Sequence, residues 1–196
     1  MAYQELFGIV AGVLSIPMLG LYIFAILKGT TKPNRVTWWI LSLVSIAVLL
    51  SYHDLGARDT LWLPIVYTLG YVCTAILSLK YGDGPFSLST LDRAALGGGI
   101  VSVALYWFAE APLLALFFGV LTECIALIPT AVKSYTNPET EDYPAWMLGT
   151  IASLINLFAI SEWSLAIAGY PVWVFVSNAF IVYFLIRGKR PFFAKK

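Results

Sequence analysis

The sequence predicts an all-α integral membrane protein: seven transmembrane helices, arranged as two parallel three-helix repeats joined by a linker helix. Three observations predict it. The first is composition: of 196 residues, 60% are hydrophobic and 12% charged, with a mean hydropathy of +0.82, whereas ordinary soluble domains carry about 25% charged residues. The second is a set of seven long apolar runs. The third is a series of matches between the two halves of the chain.

A bilayer core about 30 Å thick needs roughly 20 apolar residues per helical span. Spans that meet this need cover Leu6–Leu27, Val36–Tyr52, Thr60–Leu79, Leu91–Ala109, Pro112–Val132, Tyr143–Ile160 and Ser164–Ile186. They leave no room for a soluble domain, so residues 1–196 form one membrane domain. The first span is expected to stay in place, because Met1–Phe7 contains Glu5 and lacks the basic start of a removable signal.

Basic residues set the orientation. Lys28, Lys32, Arg35, Lys80, Arg93, Lys133, Arg187, Lys189, Arg190, Lys195 and Lys196 fall in alternate loops and the tail, while Arg58 alone lies on the other side. The positive-inside rule places the amino terminus outside and the carboxy terminus in the cytoplasm. Short loops and the lack of glycosylation sequons lean towards a multi-pass protein of a bacterial inner membrane. Trp38, Trp39, Trp62, Trp107, Trp146 and Trp163 lie near span ends, where interfacial anchors are expected.

The repeat shows in paired segments. Lys28-Gly29-Thr30-Thr31-Lys32-Pro33 parallels Lys133-Ser134-Tyr135-Thr136-Asn137-Pro138, and Trp38 and Trp39 parallel Trp146. Pro64 then matches Pro171, and Gly82, Pro85 and Phe86 match Gly188, Pro191 and Phe192, at an offset that stays between 105 and 108 residues. Repeat one covers 5–86, the linker helix 91–109 and repeat two 111–192. Three helices, one linker and three helices put both repeats the same way up, about an axis along the membrane normal. That architecture places a transport site at the repeat interface near the midplane. In the linker helix, Gly97, Gly98 and Gly99 with Ala95 read as a close-packing face.

Ionisable and polar groups within spans are costly and mark candidate sites. Glu123, midway along the fifth span, is the one such carboxylate. An unpaired charge there costs several kcal/mol, so it is expected to be protonated or hydrogen-bonded: either it binds a substrate hydroxyl or cation or carries a proton, or it is a protonated acid that bonds a neighbouring helix. On the third span Pro64, Tyr67, Tyr71, Thr74 and Ser78 share one helical face, with Thr68 alongside. The offset of the two prolines pairs Tyr71 with Asn178 across the pseudo-symmetry axis. Ser42 and Ser45 stand against Gly149, Ser153 and Asn156. The substrate-binding candidates are therefore Glu123, Asn178, Tyr71, Asn156, Tyr67 and Thr74. Pro17 and Pro129 are candidate hinges, since each interrupts the backbone ladder of a long span.

The segments Ile16-Pro17-Met18 through Pro33 and Leu127-Ile128-Pro129-Thr130 through Pro138, in a three-plus-one-plus-three chain, resemble the SWEET and PQ-loop families. Those families often carry Gln after the helical proline, where Met18 and Thr130 stand here. The resemblance implies alternating-access transport, with Asn178 at the position of a substrate-binding Asn on the last helix. Nicotinamide riboside carriers share the same general architecture.

Enzyme chemistry is not expected. No His lies within a span, no two carboxylates share one, and acid–base catalysis usually needs two positioned groups. No Lys stands in the middle of the seventh span to form a retinal Schiff base. Cys73 and Cys124 read as packing residues, and His53, the one histidine, reads as a loop residue beside Asp54. Neither a metal nor a cofactor is expected. The partners expected are a small-molecule substrate and the lipid bilayer, not nucleic acid; homo-oligomerisation is left open. Two readings remain: transport of a small polar solute (sugar-, nucleoside- or vitamin-like), or a ligand-binding receptor or sorting protein on the same scaffold.

Overall fold

The structure, a computed structural model, describes residues 3–83 and 88–188. Among these, seven α-helices account for nearly all regular structure: α1 (Tyr3–Leu27), α2 (Arg35–Asp54), α3 (Trp62–Tyr81), α4 (Thr90–Trp107), α5 (Pro112–Thr136), α6 (Tyr143–Leu157) and α7 (Leu165–Arg187). Single 3₁₀ turns at Asp59–Leu61 and Pro138–Thr140 precede α3 and α6. Of the matches between the two halves, Pro85, Phe86, Pro191 and Phe192 lie outside the described residues.

Local sequence accounts for several helix starts. Asn34 accepts from the Thr37 amide at 3.0 Å, Asp142 from the Ala145 amide at 2.7 Å, and Ser164 from the Ile167 amide at 3.4 Å. Ser89 and Asp92 form a reciprocal capping box at α4. Each satisfies an amide that the first helical turn leaves without a partner. Pro112 opens α5 where its missing N–H costs nothing.

Five segments are long and apolar enough to cross a membrane: Tyr3–Leu27, Arg35–Asp54, Asp59–Tyr81, Pro112–Thr136 and Leu165–Arg187. Of the other two expected spans, α4 is long enough but less apolar, with Asp92, Arg93, Gly97, Gly98 and Gly99 in it, and α6 is too short. α4 has 18 residues and α6 has 15, the latter reaching about 22 Å at 1.5 Å per residue. The apolar sequence continues to Ile160, but the helix stops at Leu157, with Phe158 as its cap.

Six helices pack as a closed ring in the order α1–α3–α2–α5–α7–α6, with α6 returning to α1. α4 lies outside the ring against α5 and α2. Small residues permit that approach: a Cβ on Gly98 would come within 2.6 Å of Thr122 Oγ1, and Ser102 donates to the Ala115 carbonyl at 2.7 Å. The ring's outer faces carry large exposed apolar side chains, among them Leu6, Ile16, Leu69, Phe117 and Phe180, each more than half exposed.

Candidate functional site

A cavity of about 60 Å³ lies inside the ring. Tyr22 of α1, Trp38 of α2, Tyr67, Tyr71 and Thr74 of α3, Trp146 of α6 and Asn178 of α7 line it. Small-molecule sites usually run to about 300–1,000 Å³, so this one as it stands has room for only a few waters.

The walls are an aromatic chain. Tyr22 lies with its ring centroid 6.2 Å from Trp146 and 5.4 Å from Trp38; Trp38 is 5.6 Å from Tyr71, which is 6.1 Å from Tyr67. Three of these four pairs meet edge to face, the arrangement that ring quadrupoles favour. Polar groups gather at the Tyr67 end. The Tyr67 hydroxyl donates to the Gly149 carbonyl at 3.3 Å, and Asn178 Nδ2 donates to the Val174 carbonyl at 2.7 Å. A side chain at 149 would crowd this corner, because a Cβ there would stand 2.9 Å from Asn178 Oδ1 and 3.1 Å from the Tyr67 hydroxyl.

Of the expected binding residues, the cavity thus brings together Tyr67, Tyr71, Thr74 and Asn178. Tyr67, one turn earlier than Tyr71, is the tyrosine beside Asn178. Glu123 and Asn156 do not line it. Glu123 is 2% exposed between α5 and α7, where Oε2 accepts from Trp173 Nε1 at 2.8 Å and Oε1 has no partner among the described residues. Its donor Trp173 does not line the cavity either. Pro17 and Pro129 lie within α1 and α5, as Pro171 lies within α7.

Asn156 belongs to a seal at one end of the ring. It shares a face with Gly149 but lies about 10 Å further along α6. Its Nδ2 donates to the Thr60 carbonyl at 3.3 Å. Beside it the Tyr52 hydroxyl donates to the Ile167 carbonyl at 2.7 Å and stands 2.6 Å from Thr60 Oγ1. Ile167 is four residues before Pro171, which has no N–H to reach back to that carbonyl. The proline frees an acceptor inside α7, and Tyr52 of α2 fills it.

The opposite end is closed by the α1–α2 and α5–α6 loops. The Lys32 amide donates to the Thr140 carbonyl at 3.4 Å, and Lys133 Nζ donates to the Lys32 carbonyl. Lys133 Nζ also pairs with Glu141 Oε1 at 2.7 Å. Glu141 Oε2 accepts from Trp146 Nε1 at 3.0 Å and from the Tyr22 hydroxyl at 3.3 Å. Both donors belong to the cavity wall.

Sequence reasoning missed Glu141, Tyr22 and Tyr52, and it took Trp38 and Trp146 as interfacial anchors. Trp38 is 6% exposed, while its neighbour Trp39 is 42% exposed. Adjacent helical residues point about 100° apart, so one ring of the pair can face outward while the other turns into the ring of helices. The match between the halves set both Trp38 and Trp39 against Trp146, so it did not tell which of the two turns inward.

A second, wider groove of about 340 Å³ runs between α5 and α7, lined by Cys124, Ile128, Trp173, Val176 and Phe180 among others. It lacks the converging polar groups of a specific ligand site. No family model, curated protein or solved structure matches this chain.

Proposed function

We propose that this chain is a multi-pass protein of the cell (inner) membrane that carries a small polar solute by alternating access. The observation that carries the reading is the aromatic and amide-lined cavity inside the ring, with hydrogen bonds towards both ends that cross between the first and second halves of the chain. At one end these run from Tyr52 to Ile167 and from Asn156 to Thr60; at the other they run from Lys133 to Lys32 and from Tyr22 to Glu141. A carrier must hold its solute out of reach of both sides during the exchange, and two separable seals around one site are the parts this requires.

Three observations support the membrane and repeat readings. The outer faces are apolar where a soluble protein would be charged. Eleven of the twelve basic residues group on one side of the spans, which assigns that side to the cytoplasm. The ring order α1–α3–α2–α5–α7–α6 maps onto itself when α1, α2 and α3 are exchanged for α5, α6 and α7, as expected of two parallel three-helix repeats with α4 as the outside linker. This arrangement favours the resemblance to the SWEET and PQ-loop families. Tyr67, Tyr71, Thr74 and Asn178 are the residues that touch solute; Glu123, held by Trp173 outside the cavity, ties α5 to α7 or carries a proton.

The test is thermal stability of the purified protein against pooled sugars, nucleosides, vitamins and amino acids, beside Asn178→Ala. A ligand at about 100 times its Kd stabilises by roughly 2.7 kcal/mol. A hit lost in the variant supports the site; hits kept undiminished in the variant remove Asn178 from it. Binding without flux in vesicles would favour the receptor reading.

A further inference from the structure

Glu141 stands where the cavity and one of its seals meet. It is 7% exposed, although it follows a polar loop. Its side chain is 1% exposed and that of Lys133 17%. The two carboxylate oxygens divide their partners: Oε1 takes Lys133, which also holds the Lys32 carbonyl of the other half, and Oε2 takes Tyr22 and Trp146. Lys133 ties the seal to the opposite half of the ring. The Tyr22 and Trp146 rings face the cavity that a solute would enter.

The opposite seal is built differently. Tyr52, Thr60, Asn156 and the Ile167 carbonyl are all uncharged. One end of the ring is thus closed by neutral hydrogen bonds and the other by a shielded ion pair. Ion pairs with both partners largely removed from water are held by geometry, and a small displacement of the carboxylate that admits water weakens them steeply.

Resting on the transport reading above, we infer that Lys133–Glu141 is a latch on the loop end of the pathway, and that Tyr22 and Trp146 couple it to the occupancy of the cavity. When solute moves the two rings apart, Oε2 loses its donors, the carboxylate shifts, and the Lys133 tie to Lys32 is released. The latch opens the loop end only. Tyr22 and Trp146 act as positioning residues for Glu141.

The experiment uses the full chain in sealed vesicles, with Cys73 and Cys124 replaced by Ala and Thr74→Cys as a reporter inside the cavity. The probe is a membrane-impermeant cationic methanethiosulfonate, added from one side at a time. Glu141→Gln and Lys133→Met are each expected to raise the labelling rate at least tenfold from the side of the α5–α6 loop, and not from the other side. Lys133→Arg, which keeps a cationic donor for both Glu141 and the Lys32 carbonyl, is expected to stay close to the rate of the parent. Tyr22→Phe, which keeps the ion pair, is expected to give a smaller rise on the same side. Rates that rise equally from both sides mean a loosened fold and overturn the latch. Labelling that occurs from each side but is unchanged by the variants overturns the latch and leaves the transport reading standing. A reporter that is unreactive from both sides in every variant overturns both.

Discussion

Tyr52 is the residue through which the end of the pathway away from the Lys133–Glu141 pair can be tested most sharply. Its hydroxyl is fully buried and serves two groups, the Ile167 carbonyl at 2.7 Å and Thr60 Oγ1 at 2.6 Å. Tyr52→Phe keeps the ring packed against Tyr170, at 5.4 Å between centroids, and removes only the oxygen. A net hydrogen bond is worth about 1 kcal/mol, and a buried acceptor left without a partner costs about 1–3 kcal/mol. Side-chain hydrogen bonds between membrane helices average nearer 0.6 kcal/mol because alternatives are found. The Ile167 carbonyl has no such alternative, since Pro171 cannot donate to it. The expected loss is therefore about 2 kcal/mol, or roughly 4–8 °C in Tm for a chain of this size. Thermal unfolding in detergent measures it. The decisive arm is a double-mutant cycle: Pro171→Ala restores an amide donor to Ile167, so Tyr52→Phe should cost about 1 kcal/mol less in that background. Equal costs in both backgrounds would refute the claim that the proline creates the acceptor which Tyr52 fills.

Three further outcomes are expected. Gly149→Ala should weaken binding of whatever ligand stabilises the parent by about tenfold, because its Cβ would stand 2.9 Å from Asn178 Oδ1; stability should hold or rise, as Ala favours helix over Gly by about 1 kcal/mol, and ligand titration beside Tm separates the two. Trp173→Phe removes the Nε1 donor 2.8 Å from Glu123 and leaves its carboxyl without a partner, so the chain should lose about 1–3 kcal/mol; adding Glu123→Leu should recover part of it, as read by thermal unfolding. Gly98→Ala should cost about 1–3 kcal/mol by forcing α4 away from Thr122, and Thr122→Ala should relieve most of that cost in the same assay.

The seven helices were legible because each needs an apolar run, and hydropathy measures that directly. The spans that begin at Val36, Tyr143 and Ser164 fall within a residue of the helix starts, which the structure shows capped by Asn34, Asp142 and Ser164. The Tyr67, Tyr71 and Thr74 stripe was legible for a similar reason, since a helical period fixes a face. Depth was not. Asn156 shares the face of Gly149, but two turns separate them: Gly149 meets Tyr67 of the cavity wall, while Asn156 meets Thr60 at the end of the ring. Hydropathy also ran α6 on to Ile160, because it registers apolar side chains and not where the backbone ladder stops.

Glu141 was illegible for a different reason. A carboxylate in a polar loop reads as solvated, and only packing brings Lys133, Tyr22 and Trp146 onto it. Glu123 was picked out by its solitude in a span, yet its partner Trp173 comes from another helix and turns it aside from the cavity. Periodicity assigns faces, while cross-helix partners decide what those faces do.

The most direct test of carriage through this ring is counterflow. The ligand that stabilises the purified protein would be loaded unlabelled into proteoliposomes at high concentration, with a trace of labelled ligand outside. The expected result is a transient internal accumulation of label, lost in Asn178→Ala and absent from protein-free vesicles. Tight binding with no accumulation of label would contradict alternating access and make this chain a receptor.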